Sequence, residues 1–442
     1  MMVKRLIGWS GGLWCMFSPA VMAAELFAYS GSVTEEAAYS YQHDDVRWSK
    51  LSSTANLQVD GFFSASWTGR LDLQASYDAA YDVEGSRHFT AQTLDQYRND
   101  VRINDFYTDV DVNEWLNLRL GRQYFGWGES NSEQISDIGN PRDLREMGLQ
   151  HVKDIRLPVG ASKLTAYGES WEYNLIAIHE VRTDELGAKG SEFDPYLALR
   201  RYGQIVERDQ PSAALDNTGL MSRLYLSQDW GDISLFAGRT FAGLPLLTLQ
   251  SFDSQLQQPV FRPDYFMLTT VGLFGNVTSG SLQLKYELAR QLHRRQDAQL
   301  NIAALLQEGV IAGAVAAAPR HNVLKSMAGL EYTGLSDTQM SLEYISSYIE
   351  GHTEALREPR FSSKISLYWS QTFLNGNLSY ALWTNHFVQT NAQLFRLDLT
   401  YNYDDAVKYF MALSGVSGAK SATYYDDYQH VDRVGFGVKV SF

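Results

Sequence analysis

The residues best suited to do chemistry lie between positions 117 and 158, where basic and acidic side chains are interspersed in an otherwise acidic chain. Six basic residues fall there: Arg119, Arg122, Arg142, Arg145, Lys153 and Arg156. Asp137, Asp143 and Asp154 lie among them as candidate partners. Paired charges of this kind form the constrictions by which pores select solutes, and they also form salt-bridge networks that only tether a loop. The sequence leaves both interpretations open.

Patterns for catalysis or metal binding are missing from the sequence. The nine histidines include no pair at the short helical spacing of a zinc enzyme, and no glycine-rich phosphate loop is present. His386 lacks the serine two residues later that a phospholipase arrangement would need. Acidic loop pairs such as 404–405 and 426–427 are commonly only solvated, so they predict no calcium site. We therefore predict no enzyme activity, no cofactor and no metal.

The first 24 residues have the pattern of a cleavable signal peptide. Lys4 and Arg5 precede a mostly apolar stretch, and residues 21–23 suit a signal peptidase. The only cysteine, Cys15, lies in this segment, so the processed chain would carry no disulfide and no thiolate. Its removal changes the formal charge from −14 to −16, since 35 basic residues then face 51 acidic ones. This acidity argues against nucleic acid as a partner.

The clearest structural signal is an alternation of apolar and polar residues with a period of two. From residue 55 to residue 83 the odd positions are mostly apolar and the even positions mostly polar, as in Leu71 and Leu73 against Asp72 and Gln74. Successive side chains of a strand point to opposite faces, so one face is apolar and the other is polar and exposed to water. Because one membrane-spanning strand needs only about ten residues, we predict a turn near residues 66–69.

The C-terminus repeats this alternation. Val434, Phe436, Val438, Val440 and Phe442 share one face. A strand of this kind with a terminal Phe resembles the C-terminal signal that bacterial barrel-assembly machinery reads, so we predict Phe442 as an assembly signal and that machinery as a partner. The chain has 26 Tyr, 21 Phe and 10 Trp, yet its mean hydropathy is −0.27. A barrel combines these features because only alternate residues face lipid.

Short turn signals alternate with long polar connections along the chain. The turn signals lie at 111–114, 168–170, 229–232, 278–280, 334–337, 375–377 and 404–405. The long connections run roughly over 84–98, 128–157, 182–217, 242–262, 292–322, 350–360 and 415–430. Short periplasmic turns and long outer loops are typical of bacterial barrels. We therefore predict an all-β fold, in which residues 25–442 form one antiparallel transmembrane β-barrel in outer-membrane lipid, with about 18 strands and 16 as the alternative.

Alternation also assigns the charged residues to faces. Leu118 and Leu120 should face lipid, so Arg119 should point into the lumen. Arg122 shares the parity of the leucines and needs a bulge or a rim position, because charge on the lipid face at mid-depth costs about 2–4 kcal/mol. The following loop should fold into the lumen. The lumen or constriction candidates are Arg119, Arg122, Gln123, Trp127, Glu129, Asp137, Asn140, Arg142, Asp143, Arg145, Asp154 and Arg156.

Four motifs in this stretch resemble a family of little-characterised bacterial outer-membrane barrels. They are Gly-Arg-Gln at 121–123, Trp-Gly-Glu at 127–129, Asp-Ile-x-Asn-Pro-x-Asp-Leu-Arg-Glu at 137–146 and Asp-Ile-Arg-Leu-Pro at 154–158. Members of that family are typically encoded beside resistance–nodulation–division-type lipid exporters and a periplasmic lipoprotein-carrier-like protein, and are distantly similar to alginate-export barrels. The resemblance is dense over residues 117–158 and looser over 330–442. It implies a role in envelope export, with a periplasmic carrier and an inner-membrane exporter as partners.

Residues 300–318 break the alternation, since alanine and leucine dominate and predict a helix in an outer loop. An apolar helix cannot stay exposed there, so we expect it in the lumen or against a neighbouring loop. It would act as a plug or loop stiffener, or as an apolar path for a lipid-like cargo. The candidate residues are Leu305, Leu306, Val310, Ile311 and Val315.

Two functional predictions follow from these observations. The first is a transport barrel that passes or exports a hydrophobic, lipid-like or envelope-derived molecule together with periplasmic and inner-membrane partners. The alternative is a substrate-selective porin for small hydrophilic solutes, anionic ones included. An open polar lumen with arginines at its narrowest point would favour the porin. A plugged lumen with an apolar path or a lateral gap would favour the lipid-like cargo.

Overall fold

The chain folds as one closed barrel of 18 antiparallel strands. The computed structural model describes residues 26–41, 47–146, 150, 154–206, 210–253, 255, 258–297, 318–418 and 432–442. Both the predicted fold class and the predicted number of strands are confirmed. The predicted signal peptide and the helical candidates Leu305, Leu306, Val310, Ile311 and Val315 lie outside the described residues.

The barrel strands are numbered in chain order. They are β1 Phe27–Ser40, β2 Arg47–Ser64, β3 Trp67–Asp78, β4 Asn99–Asn113, β5 Leu116–Gln123, β6 Val159–Tyr167, β7 Trp171–Ile178, β8 Gly219–Gln228, β9 Gly231–Phe241, β10 Met267–Ser279, β11 Leu282–Arg295, β12 Arg320–Tyr332, β13 Thr338–Ile349, β14 Phe361–Phe373, β15 Leu378–Phe387, β16 Ala392–Asn402, β17 Val407–Ser417 and β18 Arg433–Ser441.

The connections follow the predicted asymmetry of short turns and long loops. Short turns join the strands at one end, for example 114–115, 168–170 and 229–230, while connections such as 79–98 and 124–158 join them at the other. The turn predicted at 66–69 lies at 65–66 instead, because Gly69 already pairs with Gly61 inside the β2–β3 ladder. This shift keeps the parity of both strands, so the apolar face remains continuous.

The long connections contain short elements of their own. Helical turns lie at Ala80–Val83, Ser86–His88, Ala91–Thr93, Leu94–Arg98, Leu197–Arg200 and Leu215–Asn217, and one lies at Leu374–Gly376 on the short-turn side. Short strands lie at Asp143–Leu144, Glu185–Leu186, Gln204–Ile205, Leu246–Asp253 and Gln258–Asp264. None of the helices in the described ranges has the length and apolar character needed to cross a membrane.

Pairing of the first and last strands closes the barrel. β1 and β18 are in register from Ser32 opposite Ser441 to Ser40 opposite Arg433. Beyond this ladder Gly31 and Phe442 exchange two backbone hydrogen bonds of 2.9 Å each. The Phe442 ring lies where a side chain at position 31 would stand, so only glycine fits there. The terminal residue is thus part of the seam, and its recognition by assembly machinery stays a prediction.

The outer surface identifies the membrane that this barrel spans. Leu330, Leu342 and other apolar side chains are half exposed around its circumference. Four tryptophans lie beside short turns and are 42–57% exposed: Trp67, Trp115, Trp171 and Trp230. Aromatic residues of this kind mark the membrane–water interface at the ends of a bacterial barrel. A closed barrel with such a belt is an outer-membrane protein, with its short turns in the periplasm.

Glu35 breaks the apolar pattern of the outer face. It pairs with Val438 across the seam and accepts a hydrogen bond of 2.6 Å from the hydroxyl of exposed Ser53. It lies four positions from Gly31 on one side and four from Tyr39 on the other, roughly 10 Å along the membrane normal in each direction. Glu36, by contrast, points into the lumen, where a carboxylate oxygen lies 3.8 Å from the ammonium of Lys50.

Replacing Glu35 with Leu should stabilise the folded barrel by about 1 kcal/mol, because it removes a carboxylate from the lipid face. Glu36→Leu is the matched control, and it should not stabilise the barrel because it removes a partner of Lys50. Unfolding in urea of protein folded into lipid vesicles, followed by tryptophan fluorescence, measures both. Destabilisation by Glu35→Leu would contradict the assignment of this residue to the lipid face.

Candidate functional site

The connection between β5 and β6, residues 124–158, enters the barrel interior and is called the lumen loop below. It starts from Gln123, which is 1% exposed and donates to the carbonyl of Ala161 at 3.2 Å. Arg119 points inward, as parity predicts, and its Nε donates to Asp109 at 2.6 Å. Arg122 lies at the outer end of β5, where it pairs with Glu180 and thus occupies the rim position that its parity requires.

Aromatic side chains seat the first part of the lumen loop on the barrel wall. Phe125 and Trp127 are nearly fully buried in a cluster with Ile135 and inward-facing wall residues. The Trp127 ring centroid lies 6.0 Å from that of Phe236, and the Arg223 guanidinium lies 5.8 Å from the Trp127 ring. Apolar residues on the inner wall beneath the loop are thus covered by it rather than left open to the lumen.

Two buried glutamates of the wall bind the backbone of the lumen loop. Glu287 on β11 is 1% exposed and accepts the N–H groups of Glu129, Ser130 and Ser136 at 2.8–2.9 Å. Glu343 on β13 is also 1% exposed, and it accepts the Ser130 hydroxyl at 2.6 Å and another loop N–H at 2.8 Å. A carboxylate that accepts several N–H bonds satisfies donors that an irregular buried loop cannot pair internally.

The same part of the lumen loop reaches the far wall. Glu133 lies 3.2 Å from the ammonium of Lys325 on β12 and 2.8 Å from that of Lys364 on β14. Lys364, joined by Lys325, holds the pKa of the Glu133 carboxyl well below its usual range. The Ser132 hydroxyl donates to Asn385 on β15 at 2.7 Å. The loop therefore spans the lumen from β5 to β15.

The returning half of the lumen loop forms a narrow stem. The N–H of Asp143 donates to the carbonyl of Ile155 at 2.6 Å, and Leu157 donates to Pro141 at 2.7 Å. The Arg156 guanidinium bonds Asp137 at 2.7 Å across this stem.

Polar contacts connect the stem to the rest of the loop and to its neighbours. The Asn140 side-chain oxygen accepts a hydrogen bond from the N–H of Phe125 at 3.1 Å, and its amide nitrogen donates to the Asp137 carboxylate at 2.8 Å. The backbone N–H of Arg142 donates to Asp184 of the β7–β8 connection at 2.8 Å. Its guanidinium donates to the carbonyl of Gln134 at 3.3 Å.

A cluster of ion pairs fixes the stem to β4. Arg145 lies 2.9 Å from Asp143 and 2.8 Å from Asp100. Arg102, which also points inward from β4, lies 2.8 Å from Asp143 and 3.4 Å from Glu185. Positive and negative groups alternate around this cluster, so each arginine is compensated by carboxylates within hydrogen-bond reach.

Glu146 provides a second attachment, next to the barrel seam. Its carboxylate lies 3.1 Å from Lys50 on β2 and 2.6 Å from Arg433 on β18. Burial alone would raise the pKa of Glu146, but these two cations lower it to about 2. A carboxyl with a depressed pKa adds stability above its unfolded pKa and loses it as the pH falls towards 2, so this contact persists at neutral pH.

Cavities lie on both sides of the lumen loop. A polar cavity of about 410 Å³ lies between the stem and β2–β4, and among the described residues that line it Leu157 is the one aliphatic side chain. A cavity of about 250 Å³ shares Lys50, Glu146 and Asp154 with it. On the other side of the loop, an amphipathic cavity of about 650 Å³ has Ile138, Leu268 and Arg142 in its lining.

The structure thus brings together most residues of the predicted constriction, with clear differences in their roles. Asp154 lines both smaller cavities but makes no ion pair with another described residue. Glu129 contributes its backbone N–H to Glu287. Sequence reasoning missed Lys50, Arg102, Glu146, Glu287 and Glu343, although inward parity could have marked the wall residues as lumen groups. Within the described ranges, no cluster of three or more His, Cys, Asp and Glu could hold a metal ion.

Comparison with solved structures shows the same fold in two proteins of Acinetobacter baumannii. OccAB1 gives a TM-score of 0.53 at 8% identity, covering 94% of this chain and 96% of that one. OccAB3 gives 0.52 at 8% identity, covering 94% of this chain and 99% of that one. At this identity the likeness concerns the fold alone.

Among proteins with curated descriptions, none matches the sequence. A family-level match is nevertheless continuous over residues 31–442, from within β1 to the terminal Phe442, and so includes the lumen loop. The chain therefore belongs to the family described as "Protein of unknown function (DUF1302)".

Proposed function

We propose that the protein is a substrate-selective outer-membrane channel for small hydrophilic solutes, with the lumen loop as its constriction. The observation that carries this proposal is the attachment of that loop to opposite walls, at Glu287 and Lys364 on one side and at Lys50 and Arg433 on the other. A segment held at both ends across a barrel narrows the lumen permanently. In this proposal a hydrated solute passes through the polar cavity beside it.

The position of the apolar groups supports a hydrophilic rather than a lipid-like solute. Phe125, Trp127 and Ile135 of the lumen loop are buried against the wall, with 3–7% exposure. They complete a packed cluster and do not line the polar cavity. A hydrocarbon chain in that cavity would meet charged and hydroxyl groups, whose desolvation opposes its entry.

The charge balance of the constriction determines which ions should pass. Arg145 and Arg102 are compensated by Asp100, Asp143 and Glu185, so the arginines do not present an uncompensated positive ring. We therefore expect only modest discrimination between simple anions and cations. Selectivity would instead depend on how a solute replaces individual hydrogen bonds of the charged cluster.

Replacing both Arg142 and Arg145 with Ala should shift the reversal potential in a KCl gradient towards cations, because Asp100 and Asp143 lose a compensating charge. The barrel itself should still assemble, since neither residue lies in a barrel strand. Arg87→Ala, in the exposed connection between β3 and β4, is the control and should leave the reversal potential unchanged. A variant that no longer assembles would show that the two arginines are structural.

Glu287→Gln should release the lumen loop and give larger, noisier single-channel conductance in planar bilayers. Glutamine would place an amide N–H against at least one loop N–H, and a buried unpaired donor costs about 1–3 kcal/mol. Glu331→Gln is the matched control, because Glu331 also points inward but pairs with Lys285 rather than with the loop. Equal conductance of wild type and Glu287→Gln would contradict a constriction fixed by this carboxylate.

The second candidate function is passage or export of an amphipathic, envelope-derived molecule, with a periplasmic carrier and an inner-membrane exporter as partners. The amphipathic cavity supports it, because Ile138, Phe241 and Leu268 face Arg142 and Glu133 across one space of about 650 Å³. Such a lining suits a molecule with an apolar body and a charged head. The family resemblance of residues 117–158 points in the same direction.

Two tryptophan substitutions separate these functions. Ser76→Trp fills part of the polar cavity, and Leu268→Trp fills part of the amphipathic one; both residues lie on barrel strands. The hydrophilic-channel proposal predicts that Ser76→Trp reduces KCl conductance by at least half and that Leu268→Trp changes it little. The reverse result would place the ion path on the amphipathic side and favour the second function.

A further inference from the structure

Three arginines lie at the outer-loop end of strands β9–β14, on the face that points away from the lumen. They are Arg239 on β9, Arg290 on β11 and Arg360 immediately before β14, and are called the arginine patch below. All three are exposed, and the Arg290 side chain retains 48% of its accessible surface. This location corresponds to the outer leaflet of the membrane, at the level of the headgroups.

Strand pairing establishes the outward orientation of the patch. Arg239 pairs with Leu220, which is 55% exposed on the outer face, while its neighbour Gly238 lies against Ile138 and Met221 inside the barrel. Arg290 pairs with Val271, which is 38% exposed. Because cross-strand partners point to the same face, both arginines project towards lipid.

Arg360 is held in place by an aromatic side chain. Its guanidinium donates to the Tyr348 hydroxyl at 2.7 Å and lies 5.4 Å from the centre of the Tyr348 ring. Tyr348 pairs with Leu324, and Leu324 pairs with Arg290, so the patch is continuous across β11, β12 and β13. A guanidinium has five N–H donors, so others remain to Arg360 besides the one on Tyr348.

The spacing of the patch suits two phosphate groups on one molecule. Arg239 and Arg290 are two strands and two residues apart, because Val271 pairs with Ala237 on one side and Arg290 on the other. Strand spacing and rise then separate their Cα atoms by roughly 12 Å. Val271 and Leu324 provide an apolar surface between and beneath the arginines, where acyl chains of the same molecule would lie.

The charge of the patch is opposite to that of the chain. Among the described residues one carboxylate, Glu350, lies within it, 2.7 Å from Arg290, which leaves a net charge of +2 for the three arginines and this acid. The whole chain has a formal charge of −14. Exposed arginines beside a membrane favour an anionic neighbour, and Arg290 has further N–H groups to offer besides its bond to Glu350.

We propose that the arginine patch binds the phosphate groups of a phosphorylated glycolipid of the outer leaflet, of the lipid A type. Guanidinium groups bind phosphate in bidentate fashion, and exposed basic residues beside a membrane favour anionic headgroups. The lipid's acyl chains would pack on the apolar belt below. This proposal depends on the location of the barrel in the outer membrane and is independent of the solute that the lumen passes.

The test measures binding of bis-phosphorylated and dephosphorylated lipid A to the purified full chain by native mass spectrometry. The test variant carries Arg239→Gln, Arg290→Gln and Arg360→Gln, and a second variant carries Lys at the same positions. A charge-matched control carries Arg87→Gln, Arg201→Gln and Lys408→Gln, three exposed residues that lie outside the strands carrying the patch. Folding of each is checked by heat-dependent migration on gels, and Arg239→Gln with Arg360→Gln replaces the triple variant if that does not fold.

We expect the wild type and the control to bind the phosphorylated lipid more tightly than the dephosphorylated one. The Gln variant should bind the phosphorylated lipid at least tenfold more weakly than the wild type, and the Lys variant should retain part of the affinity. Unchanged binding by the Gln variant, or equal binding of the dephosphorylated lipid by the wild type, would overturn the proposal. Displacement of the lipid by inorganic phosphate at equal phosphate concentration would also overturn it, since the site would then be one for the free anion.

Discussion

A backbone N–H or C=O group that meets hydrocarbon without a partner costs several kcal/mol, so a sheet that spans a membrane has to close on itself. The ladder between β1 and β18, extended by the two bonds between Gly31 and Phe442, removes the last free edge. Closure then commits alternate residues of every strand to lipid or to lumen. Charged side chains such as Arg119 and Glu287 therefore point into the lumen, because the other face of each strand contacts lipid.

The lumen loop is subject to the same constraint. It has little secondary structure, yet it lies buried inside the barrel, so its N–H groups need acceptors that water or a neighbouring strand would otherwise supply. Glu287 and Glu343 are these acceptors, and Glu133 and Glu146 secure the loop at the far wall and at the seam. Buried carboxylates are tolerated because each one accepts several bonds or pairs with a cation.

The parts of this structure that depend on local pattern could be predicted from the sequence. Period-two alternation and turn residues predict about 18 strands, and parity predicts that Arg119 points inward and that Arg122 needs a bulge or a rim position, of which the structure shows the rim. The partners of the lumen loop could not be predicted, because Glu287 and Lys364 lie far away in the chain and carry no motif. Asp154 shows the reverse difficulty: its spacing predicts an ion pair, and the path of the stem leaves it facing a cavity.

The attachments of the lumen loop also have a consequence for the order of folding. Ser130 bonds a residue 213 positions later in the chain, Ser132 one 253 positions later and Glu146 one 287 positions later. Contacts of such high sequence separation form late, because the intervening chain has to be ordered first. Glu146 has no partner at Arg433 until the last strand is in place, so this attachment of the lumen loop cannot form before the wall is complete. The same strand that closes the sheet therefore also completes the attachment of the segment inside it.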